Sequence, residues 1–365
     1  MGIKMDTNIK YNVFPAKELT EEQMKKWSSI QLHSDSFASP YFRPEFTQAV
    51  AEVRNDVFVC VLEEAGEIRG FFPFHYGRGK IARPIGLALS DYHGVIAELG
   101  AKWTVEKLME CCGIDRWIFD HLPISQKQFS SYHMKVTKSP IIDISQGMKV
   151  YEASRDKSAR KQLKEIKRKA KKLENQIGPV SFTLKSSSEK ILQQLINWKS
   201  EQCRKTGTVD YFALKWCTEF IKKIHKTRKD NFGGILSCLY AGNILAAVHF
   251  GMYSKSVWHS WFPAYNNSLE EYSPGSILLL EIIKSAAENG IQYIDLGKGL
   301  SLYKKRVMTG DISIAEGVVE LPSLRNRIRH IRNVVEKYGE KSFLSPILRI
   351  PGRIIKKRER EKRYE

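Results

Sequence analysis

The chain lacks most of the features that mark specialised protein classes. Its six cysteines, at positions 60, 111, 112, 203, 217 and 238, show neither paired C-x-x-C spacing nor the density of a disulfide scaffold. They read as buried thiols, and no metal site is expected. No segment reaches the roughly 18 uninterrupted apolar residues of a membrane span, and the best, residues 277–283, is broken by Glu281. Residues 1–11 mix Lys, Asp and Asn with apolar side chains and have no signal-peptide core, which predicts a cytoplasmic protein. A Gly-x-Ser-x-Gly elbow and a Gly-x4-Gly-Lys-Ser/Thr loop are both missing, which argues against Ser-His-Asp hydrolysis and P-loop phosphotransfer. There is no low-complexity run, and 42% apolar with 11% aromatic residues predicts folded cores nearly throughout.

Positive charge is abundant, +19 in all, and unevenly placed. Residues 151–172 carry ten Lys/Arg against three acids and residues 325–365 fourteen against five, leaving about +3 for the other 302 residues. In the first segment Ala159, Leu163, Ile166, Ala170, Leu173 and Ile177 form one narrow apolar stripe on a long helix whose other faces are Lys and Arg. Such a helix is either a docked connector with a solvated back, or a basic wall over a cleft that attracts a phosphorylated ligand or an anionic lipid carrier. In the tail, Leu324, Ile328, Ile331, Val335 and Tyr338 repeat the spacing. A docked helix and peripheral contact with the inner membrane surface both fit that pattern.

The chain also repeats itself. Trp27 recurs as Trp198, Tyr41-Phe42 as Tyr211-Phe212, Gly66 as Gly242, Asp91-Tyr92 as Glu271-Tyr272, Gly113 as Gly290 and Asp120 as Asp295, at offsets of 170 to 180. Matches of scarce residue types in one order argue for two copies of one α/β unit. The expected division is a lobe over residues 1–150, a basic connecting helix over 151–178, a second lobe over 179–322 and a basic tail over 323–365. Two similar lobes make a cleft, where small ligands usually bind.

Within the second copy, helical patterns over 190–206 and 214–225 precede an antiparallel meander of strands at 234–240, 244–253 and 257–265. A helix over 275–289 follows, with Ser273 as N-cap, Pro274 as first residue and Gly290 closing it. The strand at 291–296 should then lie parallel to the strand before the helix. The first copy repeats this with strands at 57–62, 70–76 and 84–89, a helix at 103–112 and a strand at 117–120.

This order of elements resembles the Gcn5-related (GNAT) acyltransferase fold, and two copies in tandem resemble the Fem-type peptidyltransferases and, more closely, the CelD/BioF2-like acetyltransferase group. The residues that carry the closer likeness are Ser39-Pro40-Tyr41-Phe42, Ser90-Asp91-Tyr92 with Gly94, the basic helix 160–174, Ser273-Pro274-Gly275, and Ile294-Asp295-Leu296-Gly297 through Gly299 to Tyr303-Lys304-Lys305-Arg306. The resemblance implies a tandem α/β fold with a mixed, mostly antiparallel sheet in each lobe. It further implies transfer of an acetyl or similar group from an acyl-coenzyme A, without a metal, to an amine or hydroxyl of a sugar-nucleotide or lipid-linked glycan precursor. The phosphate loop Gln/Arg-x-x-Gly-x-Gly/Ala of that fold is replaced here by Glu271-Tyr272-Ser273-Pro274-Gly275-Ser276.

For that chemistry, Ser273, Gly275 and Ser276 at the helix start would meet an anion through free N–H groups, and Lys304 and Arg306 would clamp donor phosphates. Asp295, in an apolar strand, should be hydrogen-bonded or paired, with Lys304 as one partner. His249, ahead of His259, is the candidate base, and Tyr265 and Tyr303 are candidates to protonate the departing thiolate. Two other readings stand beside this one. The first is a Fem-like transfer from aminoacyl-tRNA to a cell-wall precursor, with the basic helix as an RNA surface. The second is a non-enzymatic basic adaptor for nucleic acid or membrane.

Overall fold

The computed structural model describes residues 9–322, so the basic tail expected over 323–365 lies outside the described residues. In the first half the elements run β1 (Ile9–Pro15), α1 (Glu21–Leu32), α2 (Pro44–Ala51), β2 (Val57–Glu64), β3 (Glu67–Gly77), β4 (Ile81–Arg83), β5 (Ile96–Ala97), α3 (Val105–Cys111), β6 (Arg116–Pro123) and β7 (His133–Asp143). Then come α4 (Gly147–Ser154) and α5 (Lys157–Gln176). The second half runs β8 (Val180–Thr183), α6 (Glu189–Thr206), α7 (Lys215–Lys226), β9 (Arg228–Lys229), β10 (Phe232–Ala241), β11 (Ile244–Ser254), β12 (Val257–Tyr265), α8 (Pro274–Glu288), β13 (Tyr293–Asp295), α9 (Leu302–Val307) and β14 (Gly310–Glu320).

All strands belong to one mixed sheet, ordered β1-β2-β3-β4-β6-β14-β7-β13-β12-β11-β10-β8, with β5 beside β3 and β9 beside β10. Read from either end, the order names counterparts: β1 with β8, β2 with β10, β3 with β11, β4 with β12, β6 with β13. The duplication therefore governs the sheet. At the centre the two final strands trade places. β14, the last strand of the second copy, pairs with β6 of the first, while β7 pairs with β13 of the second. β14 and β7 then pair with each other from Gly310↔Ile141 to Gly317↔His133.

Helices cover both faces. One apolar cluster joins α1, α2, α6 and α7 across both copies, with Phe46 of α2 against Phe220 of α7 at 5.4 Å. On the other face α3 closes the first half through Leu108, Met109 and Trp117, and α8 with α5 closes the second through Leu163, Leu173, Ile277 and Ile283. The stripe on α5 docks as its periodicity requires, with Ala159, Leu163, Ile166 and Leu173 buried. The helix begins where Asp156 accepts a hydrogen bond from the Ala159 amide at 2.7 Å, so the segment 151–178 is two helices broken at Arg155-Asp156 rather than one.

One expectation for the first copy is corrected. The third strand stops at Arg83 instead of occupying 84–89, because Pro84 brings no N–H to a ladder and Gly86, at φ 79°, turns the chain into a short 3-10 turn at Leu87–Leu89. The helix expected at 103–112 is α3, from Val105 to Cys111, and its counterpart α8 starts two residues after Tyr272. Residues 93–104 form a loop whose segment β5 pairs with β3. In the second copy β13 does lie parallel to β12, Val257↔Tyr293 through His259↔Asp295. Among the thiols, Cys60, Cys112, Cys217 and Cys238 are buried, Cys203 is half-buried and Cys111 is exposed.

Since each half depends on the other's final strand, both should unfold together. Ile314→Ala, at a fully buried site on β14, is expected to cost about 2–5 kcal/mol and to shift a single thermal transition seen by both far-ultraviolet dichroism and tryptophan fluorescence. Two resolved transitions would contradict the exchange.

Candidate active site

The exchanged strands bring polar residues of both copies to one place. Asp295, 1% exposed at the end of β13, accepts from the Tyr92 hydroxyl (2.5 Å) and the Ser139 hydroxyl (2.7 Å) of the first copy and from the Gly297 amide (2.8 Å). Lys304 does not pair with it. The ammonium donates instead to the carbonyls of Gly297 (2.9 Å) and Lys298 (3.1 Å) and so ties down the turn after β13. That occupation replaces the expected Asp295–Lys304 pair. Burial lowers the Lys304 pKa against the pull of Asp91 and Asp295.

Beside Asp295 stands His259, fully buried on β12, with Nε2 2.9 Å from Asp91 Oδ2 and the ring edge-on to Tyr41 at 4.9 Å. The other carboxylate oxygen of Asp91 lies 3.4 Å from His121 Nε2, so one carboxylate sits between two imidazoles of different copies. Burial alone would raise Asp91, but the hydrogen bond from His259 and the neighbouring His121 and Lys304 outweigh it and hold the carboxyl at about 2. Gly297, at φ 73°, closes the arrangement: a Cβ there would stand 2.9 Å from Asp91 Oδ2. Exposure rises outward, from His259 through His121 (11%) and Asp91 (26%) to Asp120 (56%).

His93 sets the position of His121. Its Nε2 accepts from the amides of Asp120 and His121, both at 3.1 Å, which requires a bare nitrogen. Burial drives the ring to about 3, so it stays neutral.

The other predicted residues gather at the start of α8 or fall outside both groups. Ser273 does not cap the helix. It is in the left-handed region (φ 53°) and its hydroxyl accepts from Lys169 Nζ of α5 at 2.7 Å. The Ser276 amide turns back to the Ser273 carbonyl, and Pro274 has no amide, so the Gly275 N–H is the free donor among the described residues there. The Tyr265 ring packs 3.5 Å from where a Gly275 Cβ would be. Tyr303 and Ser276 line one small recess with Gln162 and Ile166 of α5, and burial raises the Tyr303 pKa. Arg306 is exposed on α9, away from this recess lining.

His249 is sealed in the sheet at 3% exposure, bonded to Ser260 Oγ at 2.8 Å, and pushed to about 3 by burial and His259. It is a core residue on the face opposite His259. The candidates that the sequence reading passed over are Asp91, His121, Tyr92 and His93. Asp91-Tyr92 and the Asp120 next to His121 were already in the repeat pattern, which was the available signal. Among the described residues no cluster of three or more His, Cys, Asp or Glu could hold a metal, and no helix is long and apolar enough to cross a membrane.

One edge links the two groups. β12 pairs with β13 only as far as His259, then continues to Tyr265 with no strand on that side. A bulge at Trp261, opposite the Phe250/Gly251 step, marks the divergence. The open edge from Ser260 to Tyr265 spans roughly 17 Å.

The buried imidazoles make the fold sensitive to acid. His93 and His249 both have folded values near 3, below the 6.5 of a free histidine, so the unfolded chain binds more protons. Their contribution is complete above about pH 6.5 and is lost as pH falls towards 3, at up to about 1.4 kcal/mol per pH unit for each ring. Urea titrations between pH 7 and pH 4 should show the unfolding free energy declining with pH, and a flat profile would contradict the neutral, sealed assignment.

The comparisons agree with this architecture. Residues 160–305, from α5 to α9, match the family model described as acetyltransferase (GNAT) domain. Similar solved structures include FemX, at TM-score 0.54 and 9% identity over 88% of this chain and 99% of that one. The C-terminal domain (DUF2156) of a putative lysylphosphatidylglycerol synthetase from Agrobacterium fabrum aligns at TM-score 0.53 and 11% identity, over 86% and 96%. A tandem GNAT protein from the clavulanic acid biosynthesis pathway aligns at 0.50 and 7%, over 86% and 99%. No curated protein sequence matches. The fold is a duplicated GNAT-like one, its second copy carries a GNAT acetyltransferase domain, and the chain is an acyltransferase.

Proposed function

We propose that this acyltransferase is of the CelD/BioF2-like kind and moves an acetyl or similar group from an acyl-coenzyme A to an amine or hydroxyl of a sugar-nucleotide or lipid-linked glycan precursor. The donor is held by the second copy and the acceptor is activated at the seam. The observation that carries this reading is the open edge of β12, which runs from the Asp91–His259 pair to the start of α8. An extended arm bearing amides can add to that edge as a strand would. Its anionic end then lies at α8, where the Gly275 amide, the helix dipole and Lys169 meet, and its thioester end lies at the seam. The matched family segment covers the same half. The first copy has lost the equivalent helix start to β5, which leaves it the acceptor side.

In the reaction, the acceptor nitrogen or oxygen attacks the thioester carbonyl, the carbon–sulfur bond breaks, and the acceptor's proton passes to the Asp91–His121 pair, the partly exposed end of the seam. His259 and Asp295 are positioning residues behind it. The thiolate released at the seam takes up the proton held by the Asp91–His121 pair, while Tyr265 and Tyr303, at the α8 end of the edge, lie with the anionic end of the donor.

Thermal-shift titration tests the donor: acetyl- or longer acyl-coenzyme A should raise the melting temperature by mass action, and Gly275→Val, which crowds Tyr265, should abolish the rise. Flat curves for every acyl-coenzyme A, with tRNA bound in a steeply salt-dependent manner, would instead favour the Fem-like transfer from aminoacyl-tRNA that the FemX likeness keeps in view. For the acceptor step, His121→Ala should lower kcat by about 10²–10⁴, while His249→Asn lowers stability and leaves kcat near wild type. The reverse pattern would move the base into the sheet.

A further inference from the structure

We infer that the exposed face formed by α5, α4 and α9 is a docking surface for an anionic lipid bilayer. At about 100° per residue, Lys157, Arg160, Lys161, Lys164 and Lys171 fall on one side of α5, away from the buried stripe. None of these five has an acidic partner among the described residues, whereas Lys167, Arg168 and Lys172 pair with Glu152, Glu165 and Glu271. The row runs about 21 Å along the helix. Its charge is not balanced by the chain's own remainder, since residues 323–365 carry fourteen Lys/Arg against five acids.

On α4, on α9 and just before α9 the molecule also exposes aliphatic side chains. Leu302 is 64% exposed, Val150 51% and Leu300 42%. They belong to one packed unit: α9 lies against α5, and α4 is fastened to the end of α9 by Tyr151 and Arg155, which donate to the Val307 carbonyl at 3.1 and 3.0 Å. Lys305 and Arg306, exposed on α9, extend the positive charge around Leu302. Protruding aliphatic residues ringed by cations match a headgroup layer, where charge attracts and the apolar tips enter the acyl boundary. The exposed Leu and Val offer RNA bases no stacking surface and favour a lipid boundary, although Arg160 and Arg306 can meet the phosphates of either partner. The same α9 carries Tyr303 into the recess at Ser276, so docking holds the donor end close to the membrane plane. The surface stands independently of the acceptor's identity.

Sedimentation of the full chain with vesicles of phosphatidylglycerol and phosphatidylcholine, against vesicles of phosphatidylcholine alone and against tRNA, tests this surface. The chain should bind the anionic vesicles and not the neutral ones. The combined substitution Lys161→Glu, Lys164→Glu and Lys171→Glu should weaken binding well beyond tenfold, at about fivefold for each cation, and Leu302→Ser should weaken it further at high salt. All four sites are exposed, so thermal melts should match wild type. Absence of vesicle binding would overturn the inference. So would binding that these substitutions leave unchanged while Arg353→Glu with Lys356→Glu abolishes it, or capture of tRNA without capture of vesicles.

Discussion

The buried carboxylate of Asp295 is the constraint on which the two halves depend. An ionised side chain at 1% exposure costs several kcal/mol unless its lone pairs are filled. Here two of the three donors, Tyr92 and Ser139, come from the other copy. The halves cannot separate without stranding that charge. The third donor, the Gly297 amide, requires the tight left-handed turn that Lys304 secures by its two carbonyl contacts. The turn in turn sets the clearance between Gly297 and Asp91, and with it the Asp91–His259 distance. Geometry at the seam is therefore inherited from satisfying one buried charge.

Duplication followed by exchange of final strands explains why the copies have diverged. Once β14 and β7 are interleaved, neither copy has a free central edge to serve as a separate site. The second copy keeps the long helix that starts immediately after its Tyr272, and the open strand edge leading to it. The first copy has spent the same stretch on β5 and a loop, and contributes Asp91, Tyr92, His93 and His121. One copy supplies an edge and a helix start, the other supplies titratable side chains.

Much of this was legible before any coordinates. Repeated Trp, Tyr-Phe and Gly positions disclosed the duplication, the stripe on α5 its docked face, and Pro274 with Gly290 the limits of α8. What stayed hidden is non-local. The patterns of β7 and β14 identify strands without naming the edges that they join, so the exchange could not be read. His249 faces away from the seam: His259 pairs with Met252, an odd number of residues from His249, so the two rings point to opposite faces. Asp91 and His121 escaped because their neighbours are supplied by the exchanged strands. The expected Asp295–Lys304 pair was sound in principle, since a buried carboxylate needs partners, but hydroxyls and an amide met that need without a second charge.

The gradient of exposure across the seam separates the sealed imidazoles from the one that meets solvent. His259 is sealed and keeps Asp91 ionised from behind, so the carboxylate faces outward already charged. His93 is sealed as well and held neutral by burial, and its bare nitrogen fixes the two amides that carry His121. Neither ring has a route to solvent, and both act by holding something else in place. His121 alone combines contact with Asp91 and partial exposure, next to an Asp120 that is more than half exposed. In the reaction proposed above a proton taken up at the seam would leave past His121, on the partly exposed side that the first copy contributes.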